Sequence, residues 1–253
     1  MKILCLHADG QNSEIFRSQL GLQDLSTEIS FDFVNGPLNL SAKDTSAGYK
    51  FFDAEEPHDI RKANEWLAKK LGNDGPYDGV LSFSQGATLV SSFLLYRQWY
   101  DHDLPQPFKF AIFVCGSIPL IVLKNLGVPV SSKAEGVVAH AKLQIDRGLG
   151  PIAPHTKEAR RALFNSDDCF GLNLNKIPLE LKIRIPTVHV WGENDPLFPA
   201  SVQLAGLCDP YLRKVHIHTG SHEVPREKKD QDELKILIEW CTQRATWPGQ
   251  MQL

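Results

Sequence analysis

Six short apolar runs, separated by segments of helical periodicity, leave this chain few architectures to adopt. The runs are KILCLH (2–7), ISFDFV (29–34), YDGVLSF (77–83), KFAIFVC (109–115), PTVHVWG (186–192) and RKVHIHTG (213–220). Each is rich in β-branched or aromatic residues and has the length of a strand. Between them, PHDIRKANEWLAKKLG places Ile60, Ala63, Leu67 and Leu71 along one helical face. KKDQDELKILIEWCTQR sets Leu234, Leu237, Ile238 and Cys241 at i, i+3, i+4 and i+7, which predicts an amphipathic closing helix. GATLVSSFLLYRQW is apolar over nearly its whole circumference and predicts a buried helix. Strands alternating with helices specify an α/β fold with a mainly parallel central sheet covered on both faces. The 253 residues fit one large domain, 1–253. One stretch breaks the rhythm: 119–185 has no clear strand signal and many helix-like pieces. A structureless loop of that length is improbable within a domain, so it reads as a helical insertion over one end of the sheet. Two roles stay open for it, a lid and extra packing helices.

Composition serves mainly to exclude. With 27 basic and 30 acidic residues the formal charge is −3, which gives no footprint for nucleic acid or an anionic membrane. The longest apolar run, 111–123, contains Gly, Ser and Pro and falls short of a membrane span. The N-terminal apolar run is too short for a secretory signal. Five cysteines, odd in number and scattered, fit reduced thiols in a cytoplasmic protein better than a disulfide framework.

The stretch YDGVLSFSQGATLV (77–90) runs a buried strand straight into a helix, with Ser84 at the joint. A turn that sharp strains its central residue and needs small neighbours two positions to either side, here Ser82 and Gly86. It lifts the Ser84 hydroxyl off the sheet and presents the Gln85 N–H, at the helix N-terminus, to an oxyanion. A hydroxyl needs a positioned base, and the base needs a carboxylate to orient it. Both follow in the expected order. PTVHVWGENDPLFPAS leaves a strand and reaches Asp195, with Glu193 in the same loop as the alternative acid; RKVHIHTGSHEVP leaves another strand and reaches His222. LHADGQN (6–12), after the first strand, offers the backbone N–H of Asp9 as a second oxyanion donor. His216 and His218 alternate within their strand and find no third ligand, so no metal is implied.

KILCLHADGQN, FSQGATL, VWGENDPLFPAS and GSHEVP together resemble the four signatures of the fungal-type serine hydrolases (FSH hydrolases). The resemblance spans nearly the whole chain and implies an α/β-hydrolase fold with ester or thioester hydrolysis and no cofactor. It selects Asp195 over Glu193 as the acid, with Ser84 as nucleophile, His222 as base, and Gln85 and Asp9 as oxyanion donors. Some members release acyl products from carrier proteins of polyketide synthases, so an acyl carrier protein is an implied partner. Lys176, Lys182 and Arg184 in the insertion are the basic residues available to an acidic carrier. Two departures stand out: the family's glycine two residues before the nucleophile is Ser82, and its His-Gly in the first loop is His7-Ala8. The acyl pocket is expected between the insertion and 48–57, with Phe51, Phe52 and Ile118 as lining candidates. Cys115 and Ser117 read as structural, since neither has an evident base. Two other functions share the same residues: a cyclase, carbon–carbon hydrolase or acyltransferase, and a non-catalytic small-molecule-binding protein on a hydrolase fold.

Overall fold

The computed structural model describes residues 1–22, 25, 27–40, 48–150 and 156–246. Each of the six apolar runs forms a strand: β1 (Lys2–Leu6), β2 (Ser30–Val34), β5 (Gly79–Phe83), β6 (Phe110–Val114), β7 (Thr187–Gly192) and β8 (Arg213–His218). Two further two-residue strands, β3 (Leu38–Asn39) and β4 (Tyr49–Lys50), pair antiparallel as a separate ribbon. The six longer strands are parallel throughout and lie in the order β2-β1-β5-β6-β7-β8. Three of the four inner strands, β5, β6 and β7, are buried along their entire length, and β1 is buried past its first residue, whereas the edges β2 and β8 carry exposed and half-buried positions. A sheet covered on both faces requires this continuous apolar reading rather than an alternating one.

From β1 the chain winds one way to β2 and the other way to β5, so the strand order reverses between β1 and β5. In open α/β sheets the crevice outside the strand C-termini at such a reversal is where ligands bind. The Asp9 loop leaves β1 there, and Ser84 leaves β5 beside it.

Helices flank the sheet: α1 (Ser13–Leu20), α2 (Pro57–Asp74), α3 (Gln85–Tyr100), α7 (Phe198–Leu207) and α8 (Lys228–Thr246). In α2, Ile60, Ala63 and Leu67 are buried as the periodicity predicts, and Leu71 is half-buried. All four apolar positions expected to face inward on α8 are buried. α3 is buried from Gly86 to Leu95, which explains its lack of a polar face in its first ten residues. α1, which the apolar pattern alone does not announce, begins at Asn12. The Asn12 side chain accepts from the Ile15 N–H, and the helix stops at Gly21 in the left-handed region (φ 58°).

The described part of 119–185 holds three α-helices, α4 (Leu120–Asn125), α5 (Ser132–Asp146) and α6 (Thr156–Phe164), and two short 3-10 turns, joined by loops. Both α5 and α6 pack against α7. His155, within this stretch, lies outside the described residues. Among the described residues, no helix is long and apolar enough to cross a membrane.

Candidate active site

Ser84 sits at φ 50°, ψ −112°, in a region a side chain enters only under constraint. Such a conformation costs on the order of 1–3 kcal/mol and persists only when the surroundings over-determine it. Here the Ser84 N–H donates to Val114 O on β6 (2.9 Å), and the Gly86 N–H donates to His7 O beyond β1 (3.2 Å). A β-carbon at Gly86 would lie 2.7 Å from Leu6 O and 2.8 Å from His7 O, so only glycine lets α3 come this close to β1. Ser82, where the resemblance expects glycine, is fully buried and its hydroxyl donates to Ile112 O at 3.2 Å. The substitution is accommodated because the added polar atom finds a partner in the next strand.

The elbow brings Ser84 Oγ to 2.9 Å from His222 Nε2. On the other side of the ring, His222 Nδ1 lies 3.0 Å from each oxygen of Asp195. Asp195 is wholly buried, and its Oδ1 also accepts from the Leu197 N–H at 2.8 Å. A carboxylate only accepts, so the Nδ1 proton points at Asp195 and the Nε2 lone pair faces the serine. Glu193, the alternative acid, is not part of this contact with His222.

The acid and base loops are laced to each other. Glu193 N–H donates to His218 O (2.7 Å), Asn194 N–H to Gly220 O (3.0 Å), and Ser221 Oγ to Asn194 O (2.9 Å). They close together because β7 ends in Gly192, where a β-carbon would stand 2.3 Å from the carbonyls of both Gly220 and Ser221. Phe83 packs against the His222 ring with centroids 5.8 Å apart, a support the sequence did not disclose.

At the other lip, Gln85 opens α3, and the first N–H groups of a helix have no intrahelical acceptor. Asp9 follows β1; the next two N–H groups, of Gly10 and Gln11, are taken by Tyr49 O and Ala8 O. Burial is the main influence raising the Asp9 carboxyl, partly offset by Lys50 at 4.0 Å. Its side chain neither enters the triad nor leaves the site: it lines the mouth, 3.4 Å from Gln85 Nε2. The Gln85 side chain has a role that spacing gave no hint of. Its Oε1 accepts from the Phe51 N–H (2.7 Å) and its Nε2 donates to Phe52 O (2.9 Å), clamping the segment that forms one wall.

His7 is another such residue. Fully buried, it has Nδ1 2.7 Å from Ala8 O, and its Nε2 accepts from the Gly36 N–H at 3.0 Å. Both nitrogens are thus used in holding the first loop, and burial lowers its pKa, favouring the neutral ring this network needs. His216 pairs with Asp230 at 3.0 Å, and His218 Nδ1 accepts from the Gly220 N–H; neither touches the serine.

A cavity of about 260 Å³ opens over Ser84, with walls that include Phe52, Leu197 and Cys115 and a polar rim of Asp9, Asp53, Glu55 and Lys142. Of the three lining candidates, Phe52 is on the wall. Phe51 and Ile118 are not among the lining residues: both are core residues at 2% exposure. Phe51 is turned inward, its ring 4.8 Å from that of His7 and 5.4 Å from that of Trp66. The helical insertion reaches the cavity through Lys142 of α5, which pairs with Glu55 at 2.5 Å.

The basic residues considered for a carrier lie elsewhere. Lys182 turns its amine to Gly206 O, and its backbone carbonyl is held by Gln98, near the far end of α3. Gln98 is fourteen residues along from Ser84 on α3, about 20 Å at a rise of 1.5 Å per residue. Ser117 bonds Thr88 and Ser91 rather than the triad. Cys115, in contrast, directly follows β6 at φ 46°, with its thiol beside the acid. Its Sγ, a carboxylate oxygen of Asp195 and a nitrogen of His222 all lie within 4.8 Å of one another. Burial, and then the charge of Asp195, hold this thiol well above the ordinary range.

Known proteins match along the same lines. Residues 1–234 match the family described as serine hydrolase (FSH1). Esterase alnB of Emericella nidulans is 26% identical over 96% of this chain and 97% of its own length. Esterase FPY3 of Fusarium mangiferae is 28% identical over 89% of each. Among solved structures, Zea mays acyl-protein thioesterase 2 superposes with a TM-score of 0.53 at 16% identity, covering 96% of this chain and 93% of that one. At that identity the likeness bears on the α/β-hydrolase fold alone.

Proposed function

This chain belongs to the serine hydrolase (FSH1) family, and we propose that it cleaves a carboxylic ester or thioester through Ser84, His222 and Asp195. The observation that carries the reading is the unbroken relay from Ser84 Oγ through both nitrogens of His222 to a buried Asp195. In the first step His222 Nε2 takes the serine proton as Oγ attacks the carbonyl carbon, and Asp195 stabilises the imidazolium that forms. The backbone N–H groups of Gln85 and Asp9 bind the developing oxyanion. Collapse expels the alcohol or thiol, protonated by His222, and leaves an acyl group on Ser84. Water activated by the same base then releases the acid.

The cavity is slightly below the usual range for drug-sized ligands, roughly 300–1,000 Å³, so a compact acyl group fits better than a long chain. Release of a polyketide or fatty acyl product from a carrier protein is the finer form of this reading. Its support is the resemblance of the four motifs. The rim itself, three carboxylates against Lys142, favours delivery on a small thiol or alcohol over an acidic carrier. All five cysteines are free and buried, which supports a reducing, cytoplasmic setting.

A fluorophosphonate probe tests the core of the proposal. Covalent labelling of the native protein, absent in Ser84→Ala, is expected, with turnover of a reactive ester falling on the order of 10⁶-fold. An unlabelled native protein would favour a binding function instead. Graded acyl esters, and matched thioesters on pantetheine and on a carrier protein, then define the substrate.

A further inference from the structure

We propose that Cys115, Asp195 and His222 form an inhibitory site for a thiophilic divalent cation such as Zn²⁺ or Cd²⁺. Thiolate sulfur, imidazole nitrogen and carboxylate oxygen are the donor types these ions select. The three donor atoms already lie within 4.8 Å of one another, and Nδ1 stands 3.0 Å from the carboxylate. Donors on a tetrahedral zinc ion, at about 2.0–2.3 Å from the metal, are about 3.3–3.8 Å apart. Closing the set therefore requires shifts of about 1 Å, within the reach of side-chain rotation.

Two further features favour occupancy. Cys115 is one of the residues lining the cavity that opens over Ser84, so the three donors border a space from which an ion could arrive. The backbone also holds the sulfur in place: Cys115 N–H donates to Val190 O at 2.7 Å, and Sγ lies 3.6 Å from Glu223 O, one residue beyond the base.

Binding stops the relay by changing a tautomer. The metal takes the Nδ1 lone pair, the thiol proton goes to solvent, and the imidazole proton moves from Nδ1 to Nε2. His222 then donates toward Ser84 Oγ and can no longer accept its proton. Asp195, now a metal ligand, ceases to orient the ring.

The inhibition half of this proposal rests on the hydrolysis proposed above; the binding half does not, so the test separates them. Titrating the protein with Cd²⁺ and following the sulfur-to-metal charge-transfer absorption should give one equivalent of band in the native protein. Cys115→Ser should lose that band, and His222→Gln, which keeps the thiol, should need at least tenfold more Cd²⁺. In the hydrolysis assay Zn²⁺ should inhibit reversibly on adding a chelator. The half-inhibiting concentration should rise at least tenfold in Cys115→Ser, each preparation being compared with itself without metal. No band at saturating Cd²⁺, a band that both variants leave in place, or Zn²⁺ inhibition unchanged in Cys115→Ser would overturn the site. A normal band in a protein without hydrolysis would leave the metal site standing and remove the proposed reaction.

Discussion

Behind the triad, the ends of β5 to β8 hold one another through main-chain hydrogen bonds. At the mouth, the 48–57 segment and α5 are tied to the body by side chains as well. Ser84, Cys115, Glu193 and Asn194 all donate backbone N–H groups to carbonyls of neighbouring strands or loops. The mouth relies on the Gln85 amide, which grips Phe51 and Phe52, and on the Lys142–Glu55 pair. Main-chain ties tolerate most substitutions, because they ask nothing of the side chain except where a β-carbon would intrude. Side-chain ties change with one residue. Such a molecule can keep its chemistry fixed while its specificity is adjusted.

The contrast can be broken first at its rigid side. Asp195→Asn keeps the Leu197 contact but sets an amide against His222 Nδ1, favouring the wrong tautomer. Turnover should fall on the order of 10⁴-fold with little change in KM, as steady-state kinetics on a reactive ester would show. Gly192→Ala comes next. Its methyl group must push away the carbonyls before His222, and a displacement near 1 Å is expected to cost about 10²-fold in kcat, with a lower melting temperature. An active, normally stable Gly192→Ala protein would show that the two loops are looser than their hydrogen bonds imply.

At the mouth the expected effects are smaller and of another kind. Gln85→Ala removes both clamping bonds, each worth roughly 0.5–1.5 kcal/mol, but leaves the backbone N–H of residue 85 in place. KM should rise about tenfold while kcat stays within about threefold. A collapse of kcat instead would place the glutamine side chain in the chemistry and blur the distinction. Lys142→Met breaks an ion pair whose partners are 40% and 29% exposed, a geometry worth less than about 1 kcal/mol. Its kcat/KM should change by less than about threefold, and a tenfold change would mean that α5 governs access.

Much of the rigid half was legible before any coordinates. The six inner and edge strands read clearly because a parallel sheet buried on both faces demands unbroken apolar runs. Ser84, Asp195 and His222 could be ordered because each follows such a run in a short polar loop. α1 was not legible, since its apolar pattern of Phe16 and Leu20 is too sparse to announce it. Nor was the β3–β4 ribbon, since two-residue strands leave no periodicity. Neither were the buried His7, the grip of Gln85 or the place of Phe51, whose ring turns into the core while its neighbour faces the cavity. An alternating pair of phenylalanines gives no sign of which one points where.

The sequence by itself determined the order of strands and helices, the strained joint at Ser84 and the loops from which its partners come. These follow from local rules: periodicity, turn chemistry and the small residues a tight elbow needs. Only the tertiary structure decided which aromatic ring walls the cavity, and that a thiol just past β6 stands beside the acid that follows β7. Those outcomes depend on the register and close approach of strands far apart in the chain, and distances of that kind are fixed by packing, not by any neighbour in sequence.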